Sequence, residues 1–403
     1  MMEDQTTSPR QEDVKSKSKL TLQNRILNLG KATEIYSEKG TASLEDFAPV
    51  MEALTQKRGR KVVLAEASGG KAKQQHLSFS QRRLLAGRRK ILVLALVALV
   101  AIAGYLFIGV KFGNPRLFSF AMGIRLPKVL AMIIAAVAVG GSSIVFQSIV
   151  NNTIVTPCLL GMNSLYTLIH TATVFVAGSA SLLATNANLS FGVDLVLMAV
   201  VATTLYSYLF KKTGHNVLYV LLIGTVLTSF FGSIQSTMIR VMDPNEYDAL
   251  LASLVASFSN VNGEIILFSV VVLAAVTFFL RKDLALLDVL TLGKHQATNL
   301  GIDYDTSVRR LLVGVSLCIA TATAMVGPIS FLGLIVANLS RQMMKTFRHS
   351  HLILASSLLG VVVLVGGQLV VERFFSYSVP ISVFVTFGGG MYFLYLLMKK
   401  KRG

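Results

Sequence analysis

Long apolar runs separated by short polar connectors fill the chain from Ile91 to its end. Ten such segments stand out, at 91–110, 127–149, 157–177, 191–210, 217–239, 262–280, 309–326, 329–340, 352–371 and 379–398. At 1.5 Å per residue, about 20 helical residues cross a hydrocarbon core of roughly 30 Å, so these runs predict membrane helices. The eighth, ISFLGLIVANLS, is short and enters through Gly327-Pro328, a pair that bends the chain. It is therefore expected to lie among its neighbours rather than to face lipid. The connector between the sixth and seventh runs is unusual, because Leu286–Arg310 keeps an apolar pattern of its own. Leu290, Ala297 and Leu300 fall at helical spacing with Gly293 and Gly301 as breaks, which predicts two short helices broken at Gly293.

Residues 1–89 are a different material, rich in Lys, Glu, Ser and Gln and without an apolar run. KLTLQNRILNLGKATEIY has the pattern of one amphipathic helix, but nothing there makes a sizeable core. A flexible cytoplasmic extension is expected, followed by a membrane domain over 90–403. Its length argues against the first run being a cleaved signal peptide, with a misassigned start codon as the alternative.

Composition agrees with the pattern. The chain is 53% hydrophobic and only 14% charged, where soluble domains carry roughly 25% charged residues. The formal charge of +18 does not point to nucleic acid, because the cations flank apolar runs. With the N-terminus inside, the inner loops hold Lys211, Lys212, Arg281, Lys282, Lys294, Arg309, Arg310, Arg341, Lys345, Arg348 and the closing KKKR. The outer loops hold only Lys111, Arg116, Arg125, Lys128, Arg240 and Arg373. An even number of spans with both termini inside satisfies this bias, and gaining or losing one would misplace a basic cluster. Cys158 and Cys318 both lie in apolar runs and are expected to be structural thiols, with neither a disulfide framework nor a zinc site.

The chemistry the spans lack is as informative. Ion-driven transporters need ionisable groups at membrane depth. Here Asp194, Glu264 and Glu372 fall near predicted ends, and His170 is the one imidazole deep in a run, expected to be a packing residue. No GxxxxGK[ST] loop, HExxH, Ser/His/Asp set or paired span carboxylates occur, so neither an enzyme nor an ATP-binding chain is indicated. A transporter without its own energy source takes work from a partner. The segment 284–308 lies on the inner side by charge count and suits docking into a groove on a soluble protein. The competing reading is a helix lying on lipid.

Five motifs in order then carry a resemblance. IRLPKVLA (Ile124–Ala131) is similar to IRLPR-xLA, and FQSIVNNTIVTPCLLGMNS to Q-x-x-x-x-N-P-L-A-x-P-x-L-L-G, with Gln147, Asn152, Pro157 and Gly161 kept. LTLGKHQATNLGI resembles L-x-L-G-x-x-x-A-x-x-L-G-V at Leu292, Gly293, Ala297, Leu300 and Gly301. VGPISFLGLIVANLSR, with Gly327, Pro328 and Gly333, and the closing SVPISVFVTFGGGMYFLYLL complete the set. Together these resemble the FecCD/cobalamin-type permeases of ABC importers, over some 310 residues. The departures are Thr153 for the Pro of N-P, Ala337-Asn338 for Pro-His, Lys294 for a common Glu, and His349 without the Asp of a D-H-R turn.

The resemblance implies an all-α polytopic fold like the cobalamin permeases, with about ten transmembrane helices, in a bacterial plasma membrane. It implies no catalysis and no cofactor in this chain, ATP being used by two separate ATPase subunits. The permease would pair with a second copy or a sister chain. Leu290, Leu292, Gly293, Lys294, His295, Ala297, Leu300 and Gly301 would dock on the ATPase. Arg125, Lys128 and Arg373 would grip a substrate-binding protein outside, the alternative for the first two being anchoring of a span at the interface. The variants look closest to the branch for catecholate ferric siderophores, with haem or cobalamin as alternative cargo and a stand-alone secondary transporter as the rival class. The glycines of GGSS (140–143) and FGGG (387–390) are expected to be close-packing surfaces.

Overall fold

A computed structural model describes residues 87–400, apart from 111–112, 179–180, 213–216, 259–260, 262 and 376–378. The extension assigned to 1–89 thus lies outside the described residues, except at its last three positions. The described residues are mostly helical, with no strand among them, and all belong to one unit, Arg83–Gly403.

We number the helices α1 (Gly87–Phe107), α2 (Pro115–Ile149), α3 (Met162–Ala177), α4 (Leu182–Thr185), α5 (Ala187–Lys212), α6 (Val217–Val241) and α7 (Pro244–Leu254). There follow α8 (Gly263–Leu290), α9 (Lys294–Asn299), α10 (Tyr304–Val326), α11 (Leu332–Met344), α12 (His349–Phe374) and α13 (Ile381–Lys400). Seven of these, α1, α2, α5, α6, α8, α10 and α12, are long and apolar enough to cross a membrane. The other three predicted runs are the shorter helices α3 (16 residues), α11 (13 residues) and α13, whose apolar part is Ile381–Leu396.

α2 is the hub. It begins at Pro115, twelve residues before the apolar run that the hydrophobic pattern marked at 127. Asn114 caps it by accepting from the Arg116 N–H at 3.0 Å, and Pro115 suits the first turn, where no N–H partner exists. Pro127 inside the helix does not end it, although it removes one backbone bond. α12 crosses α2 at close range. A Cβ on Gly140 would sit 3.0 Å from the Ser356 carbonyl, and one on Gly360 would sit 3.0 Å from Ala136 Cβ. Ser356 Oγ completes the crossing by donating to the Gly140 carbonyl at 3.0 Å. Of FGGG, Gly389 meets Phe331 while Gly388 and Gly390 face open space, so the predicted packing surface there is one residue.

The Gly327-Pro328 bend is real and has a partner. Gly327 (φ 87°) ends α10, where a Cβ would lie 2.9 Å from Ala256 Cα and the neighbouring Ser257 N–H donates to the Val326 carbonyl at 2.8 Å. A side chain would collide there as well as strain the left-handed backbone. α11 then turns back, with Leu332, Leu334, Val336 and Ala337 fully buried, as expected for a helix held among neighbours.

Candidate functional sites at the two membrane faces

Helix ends that meet define two faces. On one, Lys90 Nζ donates to the Met343 carbonyl at 2.7 Å, Arg341 reaches the end of α2, and Asp288 of α8 meets His349 of α12. These are the loops that the charge count placed inside. On the other, the end of α1 meets Arg125 of α2 and Arg373 of α12.

On the inner face the connector is not two short helices. α8 runs unbroken past its apolar part to Leu290, and only α9, six residues after Gly293, is a separate turn of helix. Hydrophobicity falls at Arg281-Lys282, but no Gly, Pro or cap occurs before Thr291, so nothing stops the helix there. The apolar stripe also divides. Leu290 and Ala297 are 3% and 0% exposed and belong to the chain's own core, whereas Leu292 and Leu300 are 55% and 64% exposed. Gly293 (φ 99°) and Gly301 (φ 81°) take left-handed turns on either side of α9. Lys294 pairs with Asp305 at 2.7 Å, both well exposed, and His295 is exposed beside it. Asp303 caps α10 by accepting from the Thr306 N–H at 3.2 Å, and bonding to Thr306 holds its carboxyl below the usual carboxylate range.

Two departures from the family motifs meet each other. The Thr153 carbonyl accepts from Gln147 Nε2 and from Asn338 Nδ2, both at 2.8 Å. Gln147 Oε1 in turn accepts from Arg341 Nε at 3.2 Å, and Ser148 Oγ from Arg341 Nη2 at 2.9 Å. Asn152 turns the chain after α2, its Oδ1 accepting from the Ile154 N–H at 2.9 Å. Pro157 opens a single 3-10 turn, Gly161 (φ 94°) packs by Thr228 of α6, and Gly333 lies against Ser143. The missing Asp of the D-H-R turn has a spatial substitute: Asp288 Oδ1 accepts the His349 N–H at 2.9 Å and lies 2.5 Å from its Nδ1.

On the outer face, Arg125 spends one guanidinium nitrogen on three carbonyls at the end of α1, those of Tyr105, Leu106 and Ile108, at 2.9–3.0 Å. Arg373 donates to the Ile108 carbonyl as well, and Lys128 is buried. Cations there satisfy orphan carbonyls and oppose the helix dipole. Tyr105 donates to Glu372 at 2.6 Å, which ties the same ends together.

Three features escaped the sequence reading. His170 is buried but not alone: its Nδ1 lies 2.7 Å from Asp194 Oδ2, and its ring stacks on Tyr166. Asp194 is not at a helix end; it is buried two turns inside α5. Among the described residues no group of three or more His, Cys, Asp or Glu gathers as metal ligands. The second feature is Arg341 with its partners, drawn from segments far apart in sequence. The third is a hydroxyl stripe on α6, the span with the smallest buried share: Thr225, Ser229, Ser233 and Thr237 are exposed at spacings of four, ending at Arg240. That spacing is visible in TVLTSFFGSIQSTMIR, and it was the available signal.

These features define a class: a many-helix membrane protein with no catalytic set among its described residues and built surfaces at both faces. The FecCD transport family model matches residues 91–399, and the chain belongs to that family. It is therefore a transport permease of the iron-siderophore ABC importer type rather than an enzyme, a multi-pass protein of the plasma membrane. The petrobactin import system permease protein YclO of Bacillus subtilis (strain 168) is 39% identical over 315 residues, covering 78% of this chain and 99% of its own. The corresponding FatC of Bacillus anthracis is 33% identical over 69% of this chain and 78% of its own. The fold matches a solved inward-facing structure of metal-chelate ABC transporter type with a TM-score of 0.64 and 23% identity, over 78% of this chain and 99% of that one.

Proposed function

We propose that this chain is the permease of a ferric siderophore importer, with a catecholate-type chelate as cargo and a separate ATPase as engine. The observation that carries the cargo assignment is the 39% identity, over 99% of its length, to a permease named for petrobactin import. The motif variants TPCLLGMNSLY and MDPNEYDALLASLVASFSNVN support the catecholate branch. ATP use by a partner is supported by the absence of a phosphate loop from the sequence.

Each partner has a surface. Leu292, Leu300 and His295, exposed around α9, offer the ATPase an apolar and polar patch beyond the membrane. Arg125 and Arg373 carry positive charge by the end of α1 for acidic groups of a binding protein, and Lys128, the third proposed contact, is buried and would have to be uncovered to take part. Thr225, Ser233 and Thr237 of the α6 stripe donate to carbonyls of their own helix, which leaves their oxygens as acceptors on an exposed face, and a second permease facing it would enclose a path of modest polarity. The test is uptake of radiolabelled iron by cells lacking their own importers, with and without this chain and its ATPase. Ferric petrobactin or a ferric tris-catechol chelate is expected to enter only when both are present. Uptake of haem or cobalamin instead would overturn the cargo. Uptake by the purified chain alone in liposomes under a proton or sodium gradient would overturn the ATP-driven mechanism.

A further inference from the structure

Beside the coupling surface lies a cytoplasmic cavity of about 450 Å³, lined by the end of α2, the end of α8, Arg341 of α11 and the loop before α12. We propose that this cavity is a second docking point for the ATPase subunit and receives an acidic side chain from it. The proposal rests on the reading of 290–301 as the ATPase-facing surface.

Charge is the first argument. Arg341 is half-buried, and its partners are neutral: the Gln147 amide oxygen and the Ser148 hydroxyl. Arg348, also on the wall, is exposed. The cavity's one lining carboxylate, Asp288, is committed to the backbone and ring of His349. Among the described residues no carboxylate pairs with Arg341 or Arg348. Two guanidinium groups against one carboxylate leave one net positive charge on the cavity wall, which an incoming anion would neutralise.

Pre-organisation is the second. Gln147 is itself pinned to the Thr153 carbonyl, which Asn338 also holds, so the guanidinium plane is fixed before a partner arrives. Little ordering is then required on binding. The rim is the third. Leu292 (55% exposed) and Phe347 (90% exposed) line the cavity as apolar edges, an arrangement that shields a central ion pair from water once covered.

Position decides between a protein carboxylate and a lipid phosphate. α8 has 28 residues, so it is about 42 Å long, against a hydrocarbon core of roughly 30 Å. Its apolar part gives way at Arg281-Lys282, the charged pair that marks the interface, and Leu290 lies eight residues past Lys282, about 12 Å further along the axis. A soluble subunit reaches that depth.

The experiment measures ATPase-subunit affinity for the full-length permease in nanodiscs of neutral lipid and of anionic lipid. Variants are Arg348→Glu, Arg341→Gln and the pair Leu292→Ser with Leu300→Ser. Arg348→Glu, on an exposed loop and safe for folding, is expected to weaken binding about tenfold in neutral lipid, more at low salt than at high. Lysine replacement of one ATPase acidic residue should restore it. Wild-type affinity in both arginine variants, with loss in the leucine pair, would overturn the acidic-side-chain pocket and leave the coupling surface standing. Wild-type affinity in all variants would overturn both. An effect confined to anionic nanodiscs would assign the pocket to a lipid phosphate and overturn the proposal.

Discussion

Replacing Leu292 and Leu300 together by Ser should uncouple the permease from its ATPase without harming its fold. Both side chains are more than half exposed, at 55% and 64%, so their removal costs this chain little core. Fully burying a leucine is worth about 1.5–3 kcal/mol, so covering the exposed half-and-more of each yields about 1–2 kcal/mol. Two such contacts give about 2–4 kcal/mol, or roughly a 30- to 700-fold loss of affinity at 1.4 kcal/mol per tenfold. Leu290 provides the contrast, being 3% exposed and part of the core. Leu290→Ala should cost about 2–5 kcal/mol of the permease's own stability and lower its membrane abundance. The assay is ATPase-subunit binding to detergent-purified permease, with thermal melting and membrane abundance beside it. Wild-type affinity in the Ser pair at normal abundance would refute a coupling role for these leucines. A melting loss equal to that of Leu290→Ala would refute their assignment to the surface.

Arg125→Met removes both the nitrogen that caps α1 and its charge, so melting and low-salt binding-protein affinity should both fall; a drop in affinity with an unchanged melt would favour docking through the guanidinium over capping. Arg373→Glu should weaken binding-protein affinity at low salt, with the gap to wild type closing at 1 M salt, where the Debye length is about 3 Å; a salt-independent gap would point to the helix end instead. Asp194→Ala removes the buried partner of the His170 ring and should destabilise the permease by about 1–3 kcal/mol, read by thermal melting; an unchanged melt would show that His170 needs no partner. The Asp303 carboxyl is held below its usual range by Thr306, so its cap on α10 is present above that range and lost as pH falls through the lowered value. Asp303→Ala should therefore speed amide exchange at the start of α10 at neutral pH, with the difference from wild type closing in strong acid.

Local information was enough for much of this protein. Apolar runs of about 20 residues can satisfy their backbone in lipid only as helices, so the order of the membrane segments was legible from hydrophobicity. Gly327-Pro328 announced the short, enclosed α11, and the cation bias announced which connectors share a face. Boundaries were less legible, because a helix ends where its backbone is capped rather than where its side chains stop being apolar. α8 therefore outruns its hydrophobic segment to Leu290, and α2 starts at Pro115. The site depended on tertiary structure. Periodicity marks an apolar stripe but not what covers it, so only packing divided Leu290 and Ala297 from Leu292 and Leu300. The polar pairs are likewise unreadable in one chain, since their members lie 24 residues apart for His170 and Asp194, 61 for Asp288 and His349, and 194 for Gln147 and Arg341. In a low-dielectric interior each polar group must find whichever partner the helix crossings bring within 3 Å or so, and those crossings are set by close packing across the whole bundle.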